Sequence, residues 1–127
     1  MKPNMNNLNS LLIGGNLTGE PETTAIGENA QACRFSIATN RYRKDAEGKS
    51  VQSVTFVDVE AWDVLGANCA EHLSKGSRVR IVGQLRQSTW TDAEGRNRSR
   101  LFVRAEHVEF IPRRKTAPDI DDENVPF

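Results

Sequence analysis

The sequence predicts an all-β protein: a barrel of five strands, one helix between the third and fourth strands, and an acidic C-terminal segment. Three observations support this. Five segments have the composition of strands, three of them with alternating apolar and polar residues; one stretch has helical spacing, and the last nine residues carry four acids and no base. At 127 residues the chain has room for one domain with appendages. We assign residues 1–7 to a flexible lead, 8–112 to the barrel, 113–118 to a linker and 119–127 to a tail.

Each predicted strand is bounded by turn-forming residues. The five segments are Leu8–Leu17, Gln31–Tyr42, Val51–Trp62, Arg78–Trp90 and Ser99–Ile111, the last being the least regular. Gly14 and Gly15 predict that the first strand is bulged or strongly bent. The segments 44–49 and 91–96 each contain Asp and Gly between long strands, which predicts two hairpin loops.

One helix is predicted between the third and fourth strands. Asp63 is its predicted N-cap, Leu65, Cys69 and Leu73 share one face, and Gly76 is its predicted C′ residue. Five strands with a helix at this position match the small Greek-key barrel called the OB-fold. The strand order follows from that match, because periodicity alone allows other five-stranded barrels.

Charge is segregated along the chain although the formal net charge is zero. Of the 17 acidic residues four lie in 119–127, so residues 1–118 hold 17 basic against 13 acidic side chains, a net charge of +4. A basic body with an acidic tail predicts a polyanion-binding surface and a tail that competes for it. We interpret Cys33 and Cys69 as buried thiols of a reducing compartment. With no signal peptide and no membrane-length apolar run, we expect a cytoplasmic, nucleoid-associated protein with no membrane partner.

Strand parity places large aromatic side chains on polar faces. In the third strand the predicted inward set is Thr55, Val57, Val59 and Ala61. Phe56 and Trp62 therefore share the outer face with Asp58 and Glu60, two acids that we interpret as solvated. In the fourth strand the predicted inward set is Val79, Ile81, Gly83 and Leu85, which places Trp90 with the arginines.

Aromatic side chains among arginines are typical of a surface that binds single-stranded nucleic acid, because every base has a face on which a ring can stack. The predicted stacking residues are Trp90, Trp62, Phe56 and Tyr42. The predicted phosphate-binding residues are Arg34, Arg41, Arg43, Arg78, Arg80, Arg86, Arg96, Arg98 and Arg100. Structural alternatives stay open: Trp62 packs under the helix, or Phe56 fills a subunit interface. The sequence leaves the side of Phe102 undecided.

The tail has the composition of a docking peptide. Its predicted interaction residues are Asp119, Asp121, Asp122, Glu123, Val125, Pro126 and Phe127. We expect the charge run to be solvated and mobile, with the apolar tip entering a basic-rimmed hydrophobic pocket on another protein. The alternative is a solubilising tail that ends in Phe by chance.

Several motifs, taken in order, resemble the bacterial single-stranded DNA-binding protein family. They are Leu12–Leu17, Gly19–Glu22, Phe35–Thr39, His72–Ser77, Val82–Arg86 and Trp90–Asp92, together with the acidic tail. The resemblance implies an OB-fold homotetramer that wraps single-stranded DNA, with no cofactor, metal or catalysis. By motif position Phe56, Trp62 and Trp90 match stacking positions, whereas Arg43 stands where a tryptophan is common, beside Tyr42. It also implies that the tail recruits replication, recombination and repair enzymes.

The chain departs from this family in its linker. Arg113–Pro118 spans only about 20 Å when extended, so the tail is tethered close to the barrel. Two other functions compete with DNA binding. An accessory primosome-type OB protein would bind partners more than DNA, but such relatives generally lack the tail. An enzyme is disfavoured because neither His72 nor His107 has a nucleophile or metal-ligand spacing around it.

Overall fold

A computed structural model describes residues 6–26 and 30–112, in which one helix and six strands occur. The elements are β1 (Leu11–Leu17), β2 (Glu22–Ile26), β3 (Ala30–Lys44), β4 (Ser50–Trp62), α1 (Asp63–His72), β5 (Arg78–Thr91) and β6 (Asn97–Ile111). The predicted all-β fold with one helix is confirmed, since α1 lies between the third and fourth of the predicted strands. The tail, the whole linker and residues 1–5 of the lead lie outside the described residues.

The strands form one sheet that closes on itself. Their order is β1-β5-β6-β4-β3-β2, and β1 also pairs with β3. β1 lies antiparallel to β5 over Leu11–Asn16 and then pairs with β3 through Asn16 and Leu17. The five strands β1, β5, β6, β4 and β3 therefore form the barrel. In the part of the chain that the structure describes, β2 pairs only with β3 and lies outside the closed ring.

Sequence reasoning missed β2 because this strand contributes little to the core. Residues 22–25 are all exposed, and they lack the alternation of apolar and polar side chains that marks a half-buried strand. Its five register pairs with β3, from Glu22 with Arg34 to Ile26 with Ala30, define it instead.

The core lies inside the barrel and under α1, as strand parity predicts. Its buried members are Leu17, Cys33, Phe35, Ile37, Val59, Ala61, Cys69, Leu73, Val79, Ile81, Val103, Ala105 and Val108. Cys33 and Cys69 are buried free thiols, as predicted. Burial, together with the neighbouring Cys33, raises the pKa of Cys69 to about 12, so its thiol stays neutral at physiological pH.

Two long hairpins leave the barrel as arms. β3 and β4 stay paired as far as Lys44 and Ser50, and β5 and β6 as far as Thr91 and Asn97. The inward assignments of Thr55 and Leu85 are wrong, since Leu85 is 46% exposed and Thr55 is also exposed. Both residues have the inward parity, but Thr55 lies on an arm, paired with Thr39, and Leu85 lies opposite Val103 at the edge of the core, where an arm begins.

The ends of α1 differ from those predicted. The N-cap position is Trp62, with no side-chain cap, and Asp63 is the first helical residue, with φ at +54°. The helix ends at His72 with Leu73 as C-cap, so Gly76 is not the C′ residue. Gly76 has φ at +90° in the following turn, where its N–H donates to the carbonyl of Leu17.

A register shift explains the irregular pattern of β6. Val82 pairs with His107 and Gly83 with Ala105, which leaves Glu106 as an extra residue in β6. The buried positions consequently change from odd to even numbers, from Ala105 to Val108. β1 has no such shift against β5, so its glycines do not mark a bulge there.

Close approach of two strands explains Gly15. A Cβ atom built on this residue would lie 2.4 Å from the backbone oxygen of Ala38 in β3, a distance that backbone atoms do not tolerate. Only a residue without a side chain lets β1 come near enough to β3 to close the barrel.

Replacing Gly15 by Ala should destabilise the fold by about 1–3 kcal/mol, because the added methyl group forces β1 away from β3. Gly19→Ala is the matched control, since a Cβ there meets no atom within 4 Å, and its effect should stay within about 0.5 kcal/mol. Urea denaturation followed by circular dichroism measures both. Equal stability of the two variants would contradict this account of barrel closure.

Candidate nucleic-acid interface

The outer faces of four strands form one continuous surface. Cross-strand partners point to the same side of a sheet, and Arg34, Glu60, Arg104 and Gln84 form a row of such partners across β3, β4, β6 and β5. The alternation along each strand places further aromatic and arginine side chains on this side. We call the platform the set Phe56, Trp62, Trp90, Phe102, Arg34, Arg86, Arg98, Arg100 and Arg104.

The aromatic members of the platform differ in exposure. Phe56 is 70% exposed and Trp90 is 46% exposed, whereas Trp62 and Phe102 are half-buried. Tyr42 is also half-buried and lies on the same side of β3 as Arg34. The exposed rings of Phe56 and Trp90 contribute little to the core, so burial does not explain their positions.

Arginines lie against two of the rings. The guanidinium carbon of Arg104 is 4.4 Å from the centroid of the Trp62 ring, and that of Arg100 is 5.2 Å from the centroid of the Phe102 ring. Trp62 belongs to the platform and not to the buried core cluster, so the alternative in which it fills space under α1 is not what the structure has. A planar guanidinium over a ring adds a second flat, positive surface on which a base can stack.

Two acids lie among the arginines of the platform. The Arg34 Nε donates to Glu60 Oε2 at 3.1 Å, and the Arg100 guanidinium lies 3.2 Å from Asp58 Oδ2 and 3.9 Å from Glu60 Oε2. The interpretation of both acids as solvated is wrong for Glu60, which is only 5% exposed. Strand alternation gave Glu60 the outer side correctly but carried no signal that neighbouring side chains cover it.

The predicted phosphate-binding arginines fall into four places, three of which are on the platform and the arms. Arg34, Arg86, Arg98 and Arg100 belong to the platform. Arg41 and Arg43 are exposed in β3, with the opposite parity to Tyr42, so they lie on the other side of that arm. Arg96 lies in the β5–β6 loop, where its side chain is 3.4 Å from that of Glu94.

Arg78 and Arg80 are not brought to the platform. They lie at the opposite end of β5 from Trp90, beside β1. The Arg80 guanidinium pairs with Glu109 at 3.5 Å, and both arginines line a shallow groove together with Leu12, Val82 and other residues of β1 and β6. Arg104, in contrast, is a platform residue absent from the predicted set. Its shared parity with Arg100 was the available signal.

The tips of the two arms have the same sequence pattern and the same hydrogen bonds. In each, an aspartate begins the turn, Asp45 or Asp92, and its side chain accepts the backbone N–H groups two and four residues later. Asp92 also accepts from Arg98 Nε at 2.9 Å. The Arg96 backbone N–H and the Arg98 guanidinium hold the pKa of Asp92 below its usual value, so this contact persists at neutral pH.

The described residues contain neither a metal-binding cluster nor a membrane-spanning helix. Within 6–26 and 30–112 no group of three or more His, Cys, Asp or Glu side chains converges as metal ligands. In the same ranges there is no helix of the length and apolarity that crossing a membrane requires.

Comparisons with known proteins agree on one family. Residues 8–111 match the single-strand binding protein family. The chain is 34% identical over 122 residues to single-stranded DNA-binding protein 2 of Chlorobaculum tepidum, covering 94% of this chain and 81% of the relative. It is 35% identical to the single-stranded DNA-binding protein of Treponema pallidum, covering 84% of this chain and 60% of the relative.

Solved structures show the same fold. The Plasmodium falciparum SSB in complex with ssDNA superposes with a TM-score of 0.75 at 20% identity, over 87% of this chain and all of that one. A deletion mutant of the single-stranded DNA binding protein from Thermus aquaticus gives a TM-score of 0.72 at 20% identity, over 83% of this chain and 51% of that one. The predicted OB-fold is therefore confirmed.

Proposed function

Because the chain belongs to the single-strand binding protein family, we propose that it binds single-stranded DNA independently of sequence and is not an enzyme. The observation that carries this proposal is the platform, where four aromatic rings and five arginines share one side of the sheet. The relatives are named as DNA-binding proteins, in agreement with a non-catalytic role.

Two kinds of contact bind the DNA, stacking on its bases and neutralisation of its phosphates. Bases stack on Trp90, Phe56, Trp62 and Tyr42, and the arginines neutralise the backbone. Neither contact reads base edges, which accounts for the lack of sequence preference. Parity supports Tyr42 as the fourth stacking residue, since its side chain lies on the platform side of β3 while Arg43 has the opposite parity.

Single-stranded DNA should quench the fluorescence of Trp62 and Trp90, the two tryptophans of the chain. Titration with poly(dT) measures this, and the quench should decrease stepwise in Trp62→Ala and Trp90→Ala. Each substitution should weaken binding about tenfold, since one stacked base contributes about 1–3 kcal/mol. Arg86→Ala should make the log–log salt slope less negative by about 0.7.

Val64→Ala is the control for this titration, because Val64 is exposed on α1 and lies outside the platform. Its affinity for poly(dT) should equal that of the wild type. Bound DNA without any tryptophan quenching would contradict the stacking mechanism, and absence of binding would contradict the function itself.

We also propose that copies of this chain associate, as a homotetramer. Two features support self-association. Among the described residues, β1 has a strand partner on one side only over Leu11–Gly15, which leaves its other edge for a strand of a second copy. Beside this edge Leu12 is 81% exposed and contributes to the groove with Val82 and Ile111, an apolar surface that a second copy would cover.

Leu12→Glu should lower the mass measured by light scattering, because it places a charge in the proposed contact between copies. Leu8→Glu is the control, since Leu8 is almost fully exposed outside β1 and should tolerate the change. A wild-type mass of a single chain, or an unchanged mass in Leu12→Glu, would contradict the proposed contact.

The tail is proposed to recruit enzymes of DNA replication, recombination and repair, while the body protects the single strand in the cytoplasm. Asp119, Asp121, Asp122 and Glu123 would meet a basic rim on the partner, with Val125, Pro126 and Phe127 in its pocket. The six-residue linker keeps the same acids near the platform, where they compete with DNA for the arginines.

Deletion of residues 119–127 should tighten binding of oligo(dT) at low salt, and the difference should shrink as salt screens the competing charges. A variant with Asp119, Asp121, Asp122 and Glu123 replaced by Asn or Gln is the control that keeps the tail length, and it should tighten binding similarly. Equal affinities of the full and shortened chains at low salt would contradict tail competition.

A further inference from the structure

Glu60 is the one carboxylate buried among the described residues, and it lies in the middle of the platform. Its Oε1 accepts the indole N–H of Trp62, and its Oε2 accepts the Nε of Arg34 at 3.1 Å. The Arg100 guanidinium lies 3.9 Å from Oε2. One side chain thus contacts a stacking ring and two cations that come from three different strands.

A buried carboxylate that kept no partners would be strongly unfavourable, so these contacts are what allow Glu60 to stay at 5% exposure. Glu60 in turn restricts the side chains that donate to it. An indole N–H and a guanidinium that are bound to a fixed buried acceptor have few alternative rotamers, so the ring and the cations keep one orientation. The guanidinium carbon of Arg104, 4.4 Å from the centroid of the Trp62 ring, adds a further contact that restricts this ring.

We infer that Glu60 is a positioning residue of the DNA-binding platform: it holds Trp62, Arg34 and Arg100 in the arrangement that single-stranded DNA meets. This inference rests on the proposed function. Pre-organised side chains lose less entropy on binding, which raises affinity without any contact between Glu60 and DNA. The expected effect is opposite in sign to that of simple electrostatics, because an acid within an anion-binding surface should by charge alone weaken binding.

Asp58 provides the matched comparison. It lies two residues earlier on the same side of β4 and also pairs with Arg100, at 3.2 Å, but its side chain is half exposed, against 6% for Glu60. It accepts from the Ser36 hydroxyl and has no contact with an aromatic ring among those described. The substitution Asp58→Asn therefore measures the effect of removing one negative charge. The substitution Glu60→Gln measures the same effect together with the loss of positioning.

The test compares Glu60→Gln and Asp58→Asn in binding of fluorescein-labelled oligo(dT), measured by anisotropy at several salt concentrations. Glu60→Gln should weaken binding about tenfold, because the indole and the Arg34 guanidinium donate to different oxygens of Glu60, and the amide replaces one of these acceptors with a donor NH2 group. Asp58→Asn should tighten binding about threefold at low salt, the Coulomb effect of one charge some 6 Å from a phosphate in water. Circular dichroism establishes that each variant is folded.

A spectroscopic readout separates positioning from a general loss of stability. In a Trp90→Phe background Trp62 is the single tryptophan, and its quench at saturating oligo(dT) should decrease when Glu60→Gln is added. If Glu60→Gln does not fold, Trp62→Phe gives the answer instead. It keeps an aromatic ring but removes the N–H donor and one ring of the indole, so it should weaken binding several-fold more than Trp90→Phe, which makes the same change at a ring that does not donate to Glu60.

Folded Glu60→Gln that binds as tightly as the wild type, or more tightly, would overturn the inference while leaving the proposed function intact. In the alternative experiment, a loss of affinity in Trp62→Phe no larger than that in Trp90→Phe would do the same. A wild-type protein that fails to bind oligo(dT) would overturn the proposed function, and the inference with it.

Discussion

The exchange of partners by β1 is the constraint on which the rest of the molecule depends. This strand pairs with β5 along most of its length and with β3 at its end, and that change of partner turns an open sheet into a barrel. Within the barrel, closure uses the inner side of each of the five strands for the core, so barrel residues that act on other molecules lie on the outer side. Gly15 supports this closure, since any side chain there would meet the backbone of Ala38.

The arginines of the platform form two classes with different availability. Arg98 is paired with the side chain of Asp92 near the surface, where water screens an ion pair and a phosphate can displace the acid. Arg34 is paired with buried Glu60, whose carboxylate has no comparable access to water and cannot lose its partner cheaply. On the arms, a phosphate can therefore replace the acid that an arginine is paired with. At the centre of the platform, the rings and guanidinium groups are fixed, and their flat faces can stack on bases.

Strand parity predicted most of this surface, because alternation depends only on local geometry. It placed Phe56, Trp62 and Trp90 on the outer side of strands whose inner residues Val59 and Ile81 are buried. It could not locate where the barrel ends and the arms begin. Whether an inward residue is covered depends on strands distant in sequence. Glu60 illustrates the same limit on the outer side, since its cover comes from β3, β6 and its own strand.

The tips of the two arms are similar because the same type of turn, begun by an aspartate, connects the strands in each. The segments Asp45–Lys49 and Asp92–Arg96 share Asp, Ala, Glu and Gly in the same order, and Gly48 and Gly95 both adopt a φ near +80°. Each aspartate satisfies two backbone N–H groups, so the turn is specified by its own residues and needs no contact with the barrel. Because each turn forms from its own residues, strand pairing alone sets the length of the arms. The register of β3 with β4, and of β5 with β6, therefore fixes how far beyond the barrel the cations near each tip lie.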